Sequence, residues 1–152
     1  MSFTPAEIAY LSSQRLGRLA TVQPTGTLQV SPVCYTFDPA TGCFDVAGMN
    51  MAASRKYRNV ADNGRVAFVV DDLTSTDPWR VRCVEIRGHA EAIVVPFEPG
   101  DRRGGDIIRI HPERIISFGI DDDREPDQLT VHTRDAAAET MSLDHEQKPA
   151  RA

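Results

Sequence analysis

The feature that most narrows the fold is the rhythm of apolar residues from Gly17 onward. It has a period of two and is cut into short runs by turns rich in Gly, Pro and Asp, with a single helical stretch inside. Leu19, Thr21 and Gln23 alternate with Ala20 and Val22. Pro24-Thr25-Gly26 then breaks the run, and Leu28, Val30 and Pro32 resume it, so the segment predicts a β-hairpin. A strand ending at Phe37 is separated by Asp38-Pro39-Ala40-Thr41-Gly42 from a short strand over 43–47. Residues 65–71 predict a further strand, 73–80 a loop, and 81–95 a long β segment with a bulge or bend at Gly88. After a turn near 99–105, strands over 107–110 and 114–120 are predicted, joined at His111-Pro112-Glu113. Strands that arrive in runs rather than alternating with helices disfavour a parallel Rossmann sheet. They predict a mainly β (α+β) fold: an antiparallel, Greek-key-like barrel with two or three peripheral helices.

Two helices frame this pattern. Thr4, Pro5 and Glu7 read as N-cap, N1 and an acidic first turn for a helix over 4–14, with Ile8 and Leu11 on its apolar face. The internal helix is expected over 51–62, with Ala53, Tyr57, Val60 and Ala61 buried and Asn63-Gly64 as its stop. At 152 residues the chain predicts one domain, a barrel over 1–121. Residues 122–135 follow as an extended segment with an edge strand near 129–133. A flexible and dispensable tail is expected over 136–152.

Composition removes several classes of function. A net charge of -5 gives no general attraction to nucleic acid or to an anionic membrane. No run of about 20 apolar residues spans a bilayer. The N-terminus lacks a basic region ahead of an apolar core, so a cytoplasmic protein is expected. Cys34, Cys43 and Cys83 form no CxxC pair and are expected to be buried reduced thiols, with nucleophile and metal-ligand roles as the lesser readings. His89 and His111 lack a second ligand at metal spacing and read as structural, so no metal is expected.

Any bound anion must therefore meet a local basic cluster, and Ser54-Arg55-Lys56-Tyr57-Arg58-Asn59 is the one that stands out. If Ala53, Tyr57 and Val60 face inward, then Arg55, Lys56, Arg58 and Asn59 face outward near the positive end of the helix dipole. A phosphate would be held there by backbone N–H groups, the Ser hydroxyl, Arg and Lys. The competing reading is a solvated basic face. Fifteen of the 17 basic residues are Arg, and Lys56 is the one Lys outside the tail, which favours a specific use for it.

In order along residues 10–120, several motifs resemble the pyridoxamine 5′-phosphate oxidase-like superfamily of split β-barrels. They are Gly17-Arg18-Leu19-Ala20-Thr21, Ser54-Arg55-Lys56, Asn63-Gly64-Arg65-Val66-Ala67-Phe68 and Val84-Glu85-Ile86-Arg87-Gly88-His89-Ala90-Glu91. The resemblance implies that Arg55 and Lys56 bind a cofactor phosphate. Oxidases acting on pyridoxamine phosphate carry basic residues in the second strand and a C-terminal Trp. Here that strand is Leu28-Gln29-Val30-Ser31-Pro32-Val33-Cys34-Tyr35, and the tail has no Trp, so vitamin B6 oxidation is disfavoured. Ser31-Pro32-Val33, Ser54 to Asn59 and Asp77-Pro78-Trp79-Arg80 are instead similar to the deazaflavin-dependent reductase branch. That branch implies coenzyme F420 packed on the second strand, a homodimer enclosing it, and hydride transfer to an electron-poor small molecule. The cofactor residues so implied are Ser31, Pro32, Val33, Ser54, Arg55, Lys56, Asn59, Trp79 and Arg80.

The alternatives are an FMN- or haem-binding member of the same fold, or a non-catalytic carrier. Trp79 either plugs one end of the barrel or covers a site across the dimer. Arg80, Arg82 and Arg87, read as alternating on one face, are surface residues or a wall for the acidic tail of the deazaflavin, with Arg80 assigned to the tail and Arg87 to the surface. No catalytic residue is identified. Solvent, Tyr35 and Arg80 are unranked proton donors.

Overall fold

The computed structural model describes residues 2–96 and 105–136. Helix α1 spans Pro5–Ser13, and its first turn is closed by Thr4 Oγ1 accepting from the Glu7 N–H at 3.2 Å. Strands β1 (Leu16–Val22) and β2 (Leu28–Cys34) form the expected hairpin, turning through Gly26 at φ 91°. Strands β3 (Thr36–Asp38) and β4 (Cys43–Val46) form a second antiparallel pair.

The internal helix starts later than its sequence pattern suggests. Met51–Ala53 is a 3-10 turn and α2 is Arg55–Asn63, because the Ser54 hydroxyl accepts the Tyr57 N–H at 3.3 Å and makes Ser54 the N-cap. Gly64 closes α2 at φ 67°, as expected. The buried stripe also differs. Asn59 and Val60 are buried and Tyr57 half-buried, whereas Ala53 and Ala61 are exposed.

Strands β5 (Arg65–Thr76), β6 (Trp79–Val95) and β7 (Gly105–Phe118) are longer than predicted. The expected loop over 73–80 is the end of a hairpin, with Leu73 opposite Val81 and Thr76 opposite Trp79. Its polar residues had the composition of a loop, and cross-strand pairing overrides that composition. His111-Pro112-Glu113 is likewise no turn. It lies inside β7, where Gly88 pairs with Pro112 and Arg87 with Arg114, leaving Glu113 as the extra residue of a bulge. A Cβ on Gly88 would come within 2.1 Å of the His111 carbonyl oxygen, which explains a glycine at this crossing. Strand β8 (His132–Asp135) completes the sheet, a few residues later than anticipated. The turn expected near 99–105 lies mostly, and the tail almost wholly, outside the described residues.

The strand order is β2-β1-β5-β6-β7-β4-β3, with β4 and β8 dividing one edge of β7 between them. This is a split β-barrel whose sheet is not closed. The core lies along its concave side: Leu19, Phe68, Ile86 and Ile115 occupy one cross-strand row, and Phe44 stacks obliquely on Phe68 at 5.2 Å. Helix α1 is fastened to this core by Leu11 and by Tyr35, whose hydroxyl donates to the Leu11 carbonyl at 2.6 Å. Cys83 is buried, and burial pushes its thiol up to about 11. Cys34 is exposed and Cys43 half-buried, so the expectation of three buried thiols is corrected. Cys34 falls on the outward side of an edge strand, where alternation exposes it.

Candidate cofactor site

The register of β1 and β2 puts Thr21 opposite Gln29 and Leu19 opposite Ser31 on the face covered by α2. The helix is pinned there by Asn59, whose Nδ2 donates to Thr21 Oγ1 at 3.1 Å and to Gln29 Oε1 at 3.4 Å. Asn59 is 1% exposed. Its predicted outward orientation is therefore wrong, because the inward face of α2 meets a polar pair of strand residues rather than an apolar surface. Neither its Oδ1 nor the buried Ser31 Oγ has a hydrogen-bond partner among the described residues. Thr21 and Gln29 were missed by sequence reasoning. The one signal was two polar residues at inward positions of otherwise apolar strands.

The rest of the segment presents charge to solvent. Ser54 Oγ is used by the cap and donates to the Met51 carbonyl at 2.6 Å, and the Arg58 guanidinium donates to the Ala53 carbonyl at 2.7 Å. Arg55 is exposed and Lys56 half-buried, and among the described residues neither has an ion-pair or hydrogen-bond partner. Tyr57 lies between them and the core, its hydroxyl donating to Asp106 at 3.3 Å; burial first and then that carboxylate raise its pKa. Two uncompensated cations in the first turn of a capped helix can hold a phosphate or another compact anion.

Val33 is buried, and Pro32 is exposed opposite Arg18. The structure therefore brings Ser31 and Val33 to the face that α2 covers. It does not bring Trp79 and Arg80 there in the same chain. Trp79 lies seven residues along β6 from Ile86, the residue in the row of Ser31, which is about 23 Å of strand. Trp79 is 61% exposed in the single chain, and Arg80 donates to the Arg124 carbonyl at 3.0 Å. Arg82 shares the Arg80 side of β6 and is taken by Asp72, whereas Arg87 points the other way and pairs with Glu85 at 2.7 Å. The three arginines do not share one face.

A split barrel with a basic helix turn beside its second strand is matched by a family model named pyridoxamine 5′-phosphate oxidase over residues 3–119. The chain belongs to that family. It is 46% identical over 142 residues to a 5a,11a-dehydrotetracycline/5a,11a-dehydrooxytetracycline reductase of Streptomyces rimosus, covering 91% of this chain and 96% of that one. Family and relative together place the chain among the oxidoreductases. Two solved structures share the fold of this family member. A conserved hypothetical protein from Mycobacterium tuberculosis matches with a TM-score of 0.61 at 24% identity, over 76% of this chain and 84% of that one. A haem-binding protein from Mycobacterium smegmatis matches with a TM-score of 0.62 at 18% identity, over 88% and 59%. No described helix is long and apolar enough to cross a membrane.

Proposed function

We propose that this protein is a homodimeric reductase that binds coenzyme F420 and delivers a hydride to an electron-poor C=C bond of a small molecule. The observation that carries the reading is the unpaired Arg55 and Lys56 in the first turn of α2, on the helix that Asn59 bonds to Gln29 of β2. Their donor chemistry fits a cofactor phosphate, with Arg forking onto two oxygens and Lys acting as a point charge. The bound deazaflavin supplies the hydride; the protein supplies binding and orientation. The reductase direction and the C=C bond are drawn from the relative, whose dehydro substrates are named for unsaturation at 5a,11a.

A second copy is part of this reading. The outward side of β1 and β2 carries Leu28, Val30 and Leu16 at 78%, 68% and 45% exposure, continued by Ala20 and Val69. An apolar sheet face of this kind is what an isologous dimer buries. Trp79 and Arg80, remote from α2 in their own chain, then belong to the partner's site.

The test is fluorescence titration with F420. Lys56→Ala and Arg55→Ala should each weaken binding roughly 10- to 150-fold, the worth of a charged hydrogen bond of about 1.5 to 3 kcal/mol, with little change in folding stability. Arg87→Ala, paired with Glu85 on the surface, should bind like the wild type. Unchanged affinity in both α2 variants would leave a solvated helix face. FMN also carries a phosphate, so a parallel titration with FMN decides between the two ring systems.

A further inference from the structure

The outward side of β4, β6 and β7 holds a cluster that the cofactor site does not use. The register places Cys43, His111 and His89 in one row across the three strands, and Asp45, Arg109 and Glu91 in the next. Cys43 Sγ lies 3.4 Å from His111 Nδ1. The other ring nitrogen, Nε2, lies 2.7 Å from Glu91 Oε2. With the carboxylate accepting from Nε2–H, Nδ1 is left as the acceptor that faces the thiol. The ring is further fixed by His89, stacked at 4.8 Å and 14° and itself bonded through Nδ1 to Glu113 at 2.8 Å. Arg109 is occupied by Asp45 in a two-bond fork of 2.8 and 3.0 Å, so it does not compete for Glu91 as a hydrogen-bond donor.

A thiol, a base on the thiol and a carboxylate orienting the base form the array that activates a sulfur nucleophile. We propose that Cys43 is a peroxide-sensitive thiol, oxidised to sulfenic acid by hydrogen peroxide with His111 as its proton carrier and Glu91 as the residue that positions His111. Nδ1 takes the thiol proton, and the thiolate attacks one peroxide oxygen. The S–O bond forms as the O–O bond breaks. Sulfur gives up two electrons, and the departing hydroxide takes the proton back from Nδ1, leaving sulfenic acid and water. A disulfide to Cys83 is not the end point, because Cys83 lies six residues along β6 from His89, about 20 Å of strand.

The full-length protein should be exposed to hydrogen peroxide near pH 7 and trapped with a dimedone-type sulfenic acid probe, each cysteine being followed by peptide mass spectrometry. Cys43 should label, and should do so faster than Cys34 although Cys34 is the more exposed. His111→Gln should slow Cys43 by at least about tenfold, below the ~10²-fold ordinarily supplied by a positioned proton carrier. Glu91→Gln, which leaves both the thiol and the imidazole in place, should slow it severalfold. As a readout without substitutions, the iodoacetamide rate of Cys43 in the wild-type protein should titrate below the ordinary thiol range of about 8.5. The proposal is overturned if Cys43 titrates like an ordinary thiol, or if His111→Gln that retains its wild-type circular dichroism oxidises at the wild-type rate.

Discussion

The two ends of the sheet solve the problem of an exposed face in opposite ways. Around β4, β6 and β7 the outward residues are Cys43, Asp45, His89, Glu91, Arg109 and His111, and they satisfy one another across the strands. Around β1 and β2 the outward residues are apolar, relieved mainly by the Arg18–Asp71 pair. Cross-strand charge pairs are complete in water, whereas an apolar row gains free energy when something covers it. The first end therefore belongs to the single chain. The second suits the proposed partner copy, and α2 with its unpaired cations lies behind that second end, on the inner side of the same two strands.

The largest test of this contrast is a charge in the apolar row. Val30→Asp places a carboxylate in each half of the proposed isologous contact, and an uncompensated buried charge costs about 3–5 kcal/mol, so dimer dissociation should rise by about a thousandfold or more. Sedimentation velocity at micromolar concentration should show a monomer with an unchanged circular dichroism spectrum, and F420 binding should fall with it. A Val30→Asp protein that remains dimeric would move the interface elsewhere.

The opposite signature is expected at Gly88, where β6 and β7 bend beneath the polar rows. A Cβ there meets backbone, the His111 carbonyl oxygen at 2.1 Å, and no side-chain rotation relieves it. Gly88→Ala should lower unfolding free energy by about 3 kcal/mol, at the upper end of overpacking costs, measured by urea denaturation. Folded material should retain its oligomeric state. If Gly88→Ala instead dissociated the protein with its stability intact, the division between the two ends would be wrong.

What the sequence made legible follows the same division. Alternation and turn residues located β1, β4 and the stretch that divides into β2 and β3, read as one strand, together with the start of α1 and the end of α2, because those signals are local: Thr4, Gly26 and Gly64 each act within a few residues, whereas the N-cap role of Ser54 was missed. The β5–β6 hairpin end and the unbroken β7 were misread. Their polar and Pro-containing stretches are strand only because a neighbour pairs with them, as Pro112 does opposite Gly88. In the candidate site, the charged character of Arg55 and Lys56 was legible from composition and helix position. The burial of Asn59 was not, since it depends on Thr21 and Gln29 arriving from another element. The same limit hid the Cys43–His111–Glu91 row, whose members come from three strands.

The smallest effect is expected where α1 joins β5 and β6. Asp72 accepts from the Tyr10 hydroxyl at 2.9 Å and from Arg82 through two bonds of 2.9 and 2.6 Å, while the Arg82 guanidinium lies 4.8 Å over the Tyr10 ring. The Arg82 hydrogen bonds hold the Asp72 carboxyl below its usual range against the opposing cost of burial, and Tyr10 lowers it further. Burial first, and the Asp72 contact next, keep the Tyr10 phenol protonated well above its ordinary range, so it remains a donor throughout. A carboxyl whose folded pKa is depressed binds its proton less readily than in the unfolded chain. Its contribution is therefore complete above the unfolded value of about 3.9 and is lost as pH falls through the folded value. Asp72→Asn should cost about 1 kcal/mol at pH 6 to 7, less than the roughly 1.5 to 3 kcal/mol of a charged hydrogen bond because solvent screens Asp72, which is 28% exposed. Urea midpoints should separate wild type from variant at pH 6 and draw together as the pH falls below the unfolded value of about 3.9. A gap between the two proteins that is as wide at pH 2.5 as at pH 6 would show that Asp72 acts through packing rather than through its charge.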